Sequence, residues 1–354
     1  MKDPSQLRRI QLTGGSTYVV SLPKNWAKAA GIKPGDYVQL IPQPDMTLLI
    51  VPGEGKKREG LSEVLIDASL VENPENTARE LIACYLVGYD IIRLRLGRKA
   101  VEHRTYIKDI MRRKLVGVEI IDEAANYMTA RCLLGHIEFP VKDALSRMHI
   151  MALLMHKDAI TALRERNISL AHDVMQRDDE VDRLYFFVVR QLKMATEKRF
   201  IIEEIGLSSL RDCLGYRLVA KSIERIADHA ARIAKTIPTM EYQSIPDDII
   251  ALTTNMSAVS TDICQNAMKA LYQLSVKKAN QAIEGITQIT KLEEKAIKLI
   301  LETKLHITTV IGLRLILESI RRAAEYGADI AEIAINLAKS YKLHINPDYD
   351  KIII

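Results

Sequence analysis

Two pairs of carboxylates stand four residues apart in this chain: Asp178 with Asp182, and Glu224 with Asp228. On a helix that spacing sets each pair one turn apart on a single face, and two like charges so placed cost roughly 0.2–0.5 kcal/mol. Such pairs require a cation between them or basic side chains beside them. Four convergent carboxylates are hard oxygen ligands, suited to Mg²⁺, Ca²⁺, Mn²⁺ or iron. A divalent or iron-like ion at an acidic helix-pair site is therefore the cofactor expected. The competing reading is a solvated acidic face paired with Arg183, Lys221 or Arg232. Helical phase places Asp178 and Asp182 beside the apolar stripe Val174, Val181, Tyr185 and Val188. It places Glu224 and Asp228 away from the stripe Val219, Ile223, Ile226, Ala230 and Ile233, which predicts a surface groove. His229 reads as a packing or capping residue. His149 and His156, two turns apart on one helix face, read as structural.

A second set of chemistry-bearing residues lies near the N-terminus. Arg8, Arg9, Lys24, Lys28 and Lys33 put positive charge on a short segment, where basic side chains can neutralise nucleic-acid phosphates. The loop between the first two β-prone runs, Gly14-Gly15-Ser16-Thr17, carries no charge. Pure dimerisation therefore stands beside DNA binding as the reading of this segment.

The elements that must carry these groups follow from the pattern of the chain. Residues 1–53 read as strands with one short helix. Leu7–Leu12 and Thr17–Leu22 are β-prone, Pro23 opens a helix that Gly31 closes, and Tyr37–Ile41 and Thr47–Val51 are strands joined by a turn. A unit of roughly 50 residues without disulfides or metal is marginal alone, which favours an intertwined dimer. Residues 54–60 are charged, Gly-bounded and aperiodic, as in a linker. Residues 61–140 alternate strand and helix and predict a small α/β sandwich. Residues 141–341 are helical throughout and repeat: Asp158–Leu163 matches Asn266–Leu271, and Ser222-Ile223 matches Ser319-Ile320. Two three-helix units fit this spacing. The final dozen residues read as an extended tail or late strand.

The second repeat departs from the first where the chemistry lies. Aligned on those anchors, Ile286 and Thr290 stand in place of Asp178 and Asp182, and Arg321 in place of Glu224. Glu325 alone keeps an acid, opposite Asp228. A shift of register would bring Glu293 and Glu294 into play. At most one well-formed site per chain is expected.

Composition bounds the function classes. Apolar residues make up 48% and charged residues 27% of 354, the profile of a globular protein of two or three domains. Aromatics at 5% suit helical packing better than a β-sandwich. The net charge of +5 is too small by itself to argue for nucleic acid. The four cysteines are scattered with no CxxC pair, so a zinc finger is excluded. No signal-like stretch and no membrane-length apolar run occurs, and a cytoplasmic location without membrane insertion is expected. There is no Walker-type Gly-rich loop and no Gly-x-Ser-x-Gly, and an enzyme is not expected. The fold class is α+β multidomain: an N-terminal half of a swapped-hairpin β-barrel, a small α/β sandwich, and an all-α pair of three-helix bundles.

Two family resemblances join these readings. The order Arg8-Arg9-Ile10, Gly14-Gly15, Val19–Leu22, Pro23, Ala30-Gly31-Ile32, Pro34-Gly35-Asp36 and Val38 resembles the AbrB/SpoVT swapped-hairpin family over roughly residues 5–52. That resemblance implies a dimer docking on DNA, with Arg8, Arg9, Lys24 and Lys28 as the candidate contacts. The segments Arg177–Leu184 and Ser222–Ala230 resemble the PhoU family, and the latter matches its Glu-Arg-Ile-x-Asp-His-Ala helix. That resemblance implies metal at Asp178, Asp182, Glu224 and Asp228. It also implies a role in phosphate uptake, through a phosphate transporter or a signalling kinase as protein partner. The expected function is thus a DNA-binding regulator of phosphate transport, dimeric or higher. The alternative is a metal-binding helical adaptor or metal sensor whose N-terminus only dimerises.

Overall fold

The computed structural model describes residues 7–42, 46–53, 61–97, 99–134, 139–197, 201–241 and 245–344. The linker reading at 54–60 and most of the C-terminal tail reading fall outside the described residues. The chain divides into two compact units, residues 1–60 and 61–354.

The first unit holds two antiparallel hairpins. One pairs β1 (Gln11–Thr13) with β2 (Thr17–Val19), and the other pairs β3 (Val38–Pro42) with β4 (Leu48–Pro52). Gly14 and Gly15 turn the first hairpin with φ of 61° and 76°, values that a Cβ resists. Between the hairpins α1 (Lys24–Ala29) follows Pro23. None of the described residues of this unit is buried. Leu12, Tyr18, Trp26, Leu40 and Leu48 are all exposed. Each hairpin has a β-prone sequence, yet the unit has too few residues to enclose a core of its own.

The second unit begins with a four-stranded sheet of order β5-β6-β8-β7, made of β5 (Glu63–Ala68), β6 (Ile91–Leu96), β7 (Val118–Glu123) and β8 (Tyr127–Cys132). β5 and β6 run parallel, joined through α2 (Pro74–Val87), and the other pairs are antiparallel. Asn73 caps α2 by accepting from the Glu75 N–H. Period-two alternation turns Ile66, Ile92, Leu94 and Met128 onto Leu81 and Tyr85 of α2 and Ile107 of α3 (Ala100–Lys114). The other face carries Arg93 paired with Glu63, and Arg95 with Asp67.

Eight α-helices among the described residues complete the unit. The first repeat is α4 (Val141–Glu165), α5 (Ile168–Glu197), the short α6 (Ile201–Glu204) and α7 (Leu210–Thr236). The second is α8 (Asp247–Gln273), α9 (Val276–Glu284), α10 (Ile286–Glu302) and α11 (Ile307–His344). α4, α5 and α7 pack on one another, as do α8, α10 and α11, and α7 lies along α11. The break between α9 and α10 falls at Gly285, where an added Cβ would sit 2.8 Å from the Ile263 side chain. The apolar faces of all these helices, the short α6 included through Ile201 and Ile202, join in one core that runs through both repeats.

The sheet layer is fastened to the helices by Arg190 of α5, which is 4% exposed. Its guanidinium donates to the carbonyls of Tyr85 (2.6 Å), Tyr89 (3.0 Å) and Gly88 (3.2 Å), and lies 5.0 Å from the Tyr85 ring centroid. Carbonyls at the C-terminal end of α2 lack helical partners, and a cation there also meets the negative end of the helix dipole. No described helix is long and apolar enough to cross a membrane.

Candidate metal centre

α5 and α7 pack side by side, and their acidic pairs meet. Carboxylate oxygens of Asp182, Glu224 and Asp228 all lie within 4.8 Å of one another. This is the one such group of three among the described residues. Asp178 stands one turn before Asp182 on α5, and its Oδ1 is buried with no hydrogen-bond partner. Asp178 and Asp228 also line an open groove of about 660 Å³ with Arg232, Lys235 and Thr239. All four residues proposed from the sequence are thus gathered here, three in close convergence and the fourth at the edge.

The position of Glu224 departs from the phase argument, which turned it away from the core. Glu224 is 8% exposed. The reason lies in the packing of α7, which touches α4, α5 and α11. A helix enclosed on three sides has no single apolar stripe, so a charged residue off that stripe can still be buried.

Of the cations expected around the acids, Lys221 is in place, and Arg225 and Lys114 join it. Lys221 donates to Glu224, and Arg225 reaches Asp228 at 3.5 Å. Lys114, in the last turn of α3, donates to Asp182 and lies 3.0 Å from Asp179. Arg183 instead pairs with Glu180. Lys114 was not found from sequence. It stands in the basic run Arg112-Arg113-Lys114, which by itself reads as compensation for a helix dipole.

Electrostatics show what this arrangement favours. Burial, then the charges of Asp182 and Asp228, push the Asp178 carboxyl up to about 7. Burial also raises Glu224, against the Lys221 hydrogen bond, and raises Asp228 with Asp182 adding to it. Three carboxyls raised side by side, first by burial and then by one another's charge, mark a site that Lys114, Lys221 and Arg225 offset only in part. The donor set fits a hard divalent cation: oxygen ligands only, mutually close, with two buried oxygens, Asp178 Oδ1 and Glu224 Oε2, lacking a hydrogen-bond partner. Asp182, Glu224 and Asp228 would hold the ion, and Asp178 would accept from a metal-bound water or ligate directly.

His229 is not among the converging ligands. Its ring packs at a tilt against Tyr326 of α11, centroids 5.8 Å apart. His149 and His156 are buried in α4, and neither ring nitrogen of His156 has a partner. The candidate DNA contacts Arg8, Arg9, Lys24 and Lys28 are all exposed in the first unit. Lys24 opens α1 and Lys28 lies in its last turn.

Comparison with known proteins places these features. The PhoU domain profile matches residues 145–237, which spans α4 to α7 and contains all four acids. The profile of the antidote-toxin recognition protein MazE, a bacterial antitoxin, matches residues 11–59. The phosphate-specific transport system accessory protein PhoU homolog of Zymomonas mobilis is 24% identical over 178 residues, 49% of this chain and 73% of that protein. PhoU homolog 2 of Thermotoga maritima, of the same description, is 26% identical over 201 residues, 54% of this chain and 81% of its own. A crystal structure of the phosphate transport system regulatory protein PhoU from Streptococcus pneumoniae superposes with a TM-score of 0.49 at 18% identity, covering 56% of this chain and 92% of that one. These relatives are accessory and regulatory proteins by name, and none is named as an enzyme. The first helical repeat is thus similar to a PhoU domain, and the N-terminal segment to the MazE antitoxin.

Proposed function

We propose that this protein is a PhoU-like regulator of phosphate transport that acts on transcription by binding DNA as a dimer. The observation that carries the reading is the pairing of a PhoU domain with an N-terminal unit that buries none of its described residues. Apolar side chains such as Leu12, Tyr18 and Leu40 are exposed within one copy and would gain burial against a second. Doubling also doubles the basic set Arg8, Arg9, Lys24 and Lys28, and several lysine and arginine contacts suffice for salt-dependent phosphate binding. The PhoU-like part holds a divalent or iron-like ion at Asp182, Glu224 and Asp228, with Asp178 beside it. It serves as the sensing or partner-binding surface toward a phosphate transporter or a signalling kinase.

The test is a mobility-shift assay of the full chain on fragments upstream of its own gene and of neighbouring transporter genes, over a salt series. A fragment-selective shift that weakens steeply with salt is the expected result. No shift at low salt overturns the DNA half of the reading. One observation favours the second reading, a metal-binding adaptor whose N-terminus only dimerises: the β1–β2 turn, Gly14 to Ser16, offers no cation to a phosphate. Under that reading Arg8→Ala with Arg9→Ala leaves every activity intact, and deletion of residues 1–53 still lowers the mass seen in light scattering.

A further inference from the structure

The first helices of the two repeats, α4 and α8, leave between them a groove of about 600 Å³. Small-molecule sites run from roughly 300 to 1,000 Å³, mostly apolar with a few placed polar groups. Ile150, Leu153, Leu154 and Ile160 of α4 and Ala258 of α8 supply the apolar lining. Ile150 and Leu154 are 55% and 49% exposed, although their helix is otherwise well buried.

At one end of the groove stands His149, only 9% exposed, with Nε2 lacking any hydrogen-bond partner. Its other ring nitrogen is engaged with the Cys264 backbone. Burial holds the ring down to about 4, so it is neutral near neutral pH. A neutral imidazole that donates to a backbone carbonyl through Nδ1 leaves Nε2 as an acceptor. A buried acceptor without a donor is costly unless a ligand or water supplies one.

Lys157 lies on the same helix, eight residues on and therefore about 12 Å further along the axis. Lys157 makes no ion pair among the described residues, whereas Arg164 beyond it is held by Glu165 at 2.7 Å. Asp262 is the one acid in the lining, and with Arg164 held by Glu165 the lining cation without an ion pair is Lys157. That balance suits a monoanion and repels a dianion from the Asp262 wall.

We propose that the α4–α8 groove binds an amphipathic monocarboxylate. Its apolar body lies along Ile150, Leu153 and Leu154, an O–H or N–H group donates to Nε2 of His149, and the carboxylate sits at Lys157. Each methylene buried in the groove contributes roughly fourfold in affinity, and the donor at His149 supplies selectivity. The site is remote in sequence from the acidic cluster and does not rest on metal or DNA binding.

The test is calorimetric titration of the full chain, in metal-free buffer, with ω-hydroxydecanoate and with decanoate. The first has a donor at the distance from its carboxylate that separates His149 from Lys157. It is expected to bind about tenfold tighter than decanoate, the worth of one buried hydrogen bond. His149→Phe should erase that difference. Lys157→Gln, a change at an exposed position that leaves the core intact, should weaken both ligands about tenfold. Equal affinities in the parent protein, binding indifferent to both substitutions, or no heat with either compound would overturn the proposal. Light scattering of Leu154→Glu checks the rival occupant. An unchanged mass is expected, and a halved mass would give the groove to a second copy and end the small-molecule assignment.

Discussion

The two helical repeats share a fold and oppose each other in charge. In the first, Asp178, Asp182, Glu224 and Asp228 face Lys114, Lys221 and Arg225, so acids outnumber bases. In the second, Glu293 and Glu325 are held by Arg314, Arg321 and Arg322, so bases outnumber acids. Arg321 stands where the first repeat has Glu224, and it bridges Glu293, at 3.2 Å, to Glu325. Glu293 is 8% exposed, as buried as Glu224. One repeat leaves negative charge for a cation from solution, and the other supplies the cation from its own chain. The PhoU domain match ends at residue 237, before the second repeat begins. The lesson is that a duplicated scaffold keeps its packing while changes at a few positions, Arg321 for Glu224 among them, turn a crowded acidic cluster into a structural clamp.

The largest expected effect breaks the first repeat. Asp182→Ala with Asp228→Ala removes two of three converging ligands, and Mn²⁺ affinity measured by titration should fall at least about a hundredfold. Helical content by circular dichroism should hold, because both side chains are only half-buried. Undiminished Mn²⁺ binding in that variant would remove the ion from this site. The next effect breaks the second repeat. Arg321→Ala leaves buried Glu293 with Arg314 alone, and should cost about 2 kcal/mol in urea unfolding. Saturating Mn²⁺ should not restore that loss if the second repeat has no ion site, and a restored midpoint would show that it has one.

Much of this was legible before any coordinates. The strands Glu63–Ala68 and Ile91–Leu96 announce themselves by alternation, and Asn73-Pro74-Glu75 marks the start of α2 by its cap and its proline. The acids at 178, 182, 224 and 228 stand out by their spacing together with the PhoU resemblance of the segments that carry them. Three things were not legible, each for a physical reason. Burial of Glu224 depends on α7 being enclosed by three helices, which no single helix reveals. Lys114 reaches Asp182 across 68 positions, and long-range pairing leaves no local pattern. Glu293, and not Thr290, faces Arg321, because the break at Gly285 changes the phase of α10 relative to α5. In the first unit β1 begins at Gln11, later than the run from Leu7 that suggested it. Apolar strand residues raise β-propensity, and pairing across the hairpin decides which of them form a ladder.

A smaller effect concerns the competition between ammonium and ion in the first repeat. Lys114 comes from the sheet layer, and its charge occupies part of the field that a metal would use. Lys114→Ala should raise Mn²⁺ affinity about fivefold, the worth of one removed cation at a few ångströms in a well-solvated site. The equivalent loss in the second repeat, Arg322→Ala, should leave Mn²⁺ binding unchanged. Weaker Mn²⁺ binding in Lys114→Ala would instead make the lysine a support for the ligands.

The last effect is a slope of stability with pH. Asp178 has its folded carboxyl at about 7, against 3.8 when unperturbed. Between those values the folded chain holds a proton that the unfolded chain has released. Folding then binds protons, so stability must decline as pH rises through this window. The contribution is fully present below about pH 3.8 and is lost above about pH 7. A bound divalent cation replaces the proton as the partner of the crowded carboxylates, so saturating Mn²⁺ should flatten the slope and raise the melting temperature most at the upper end. Asp178→Asn, neutral at every pH, should flatten it in metal-free protein. Melting temperatures from pH 4 to 8 in EDTA, with and without that substitution, check the sign. A slope that persists unchanged in Asp178→Asn would transfer the effect to Glu224 or Asp228, whose carboxyls burial raises in the same direction.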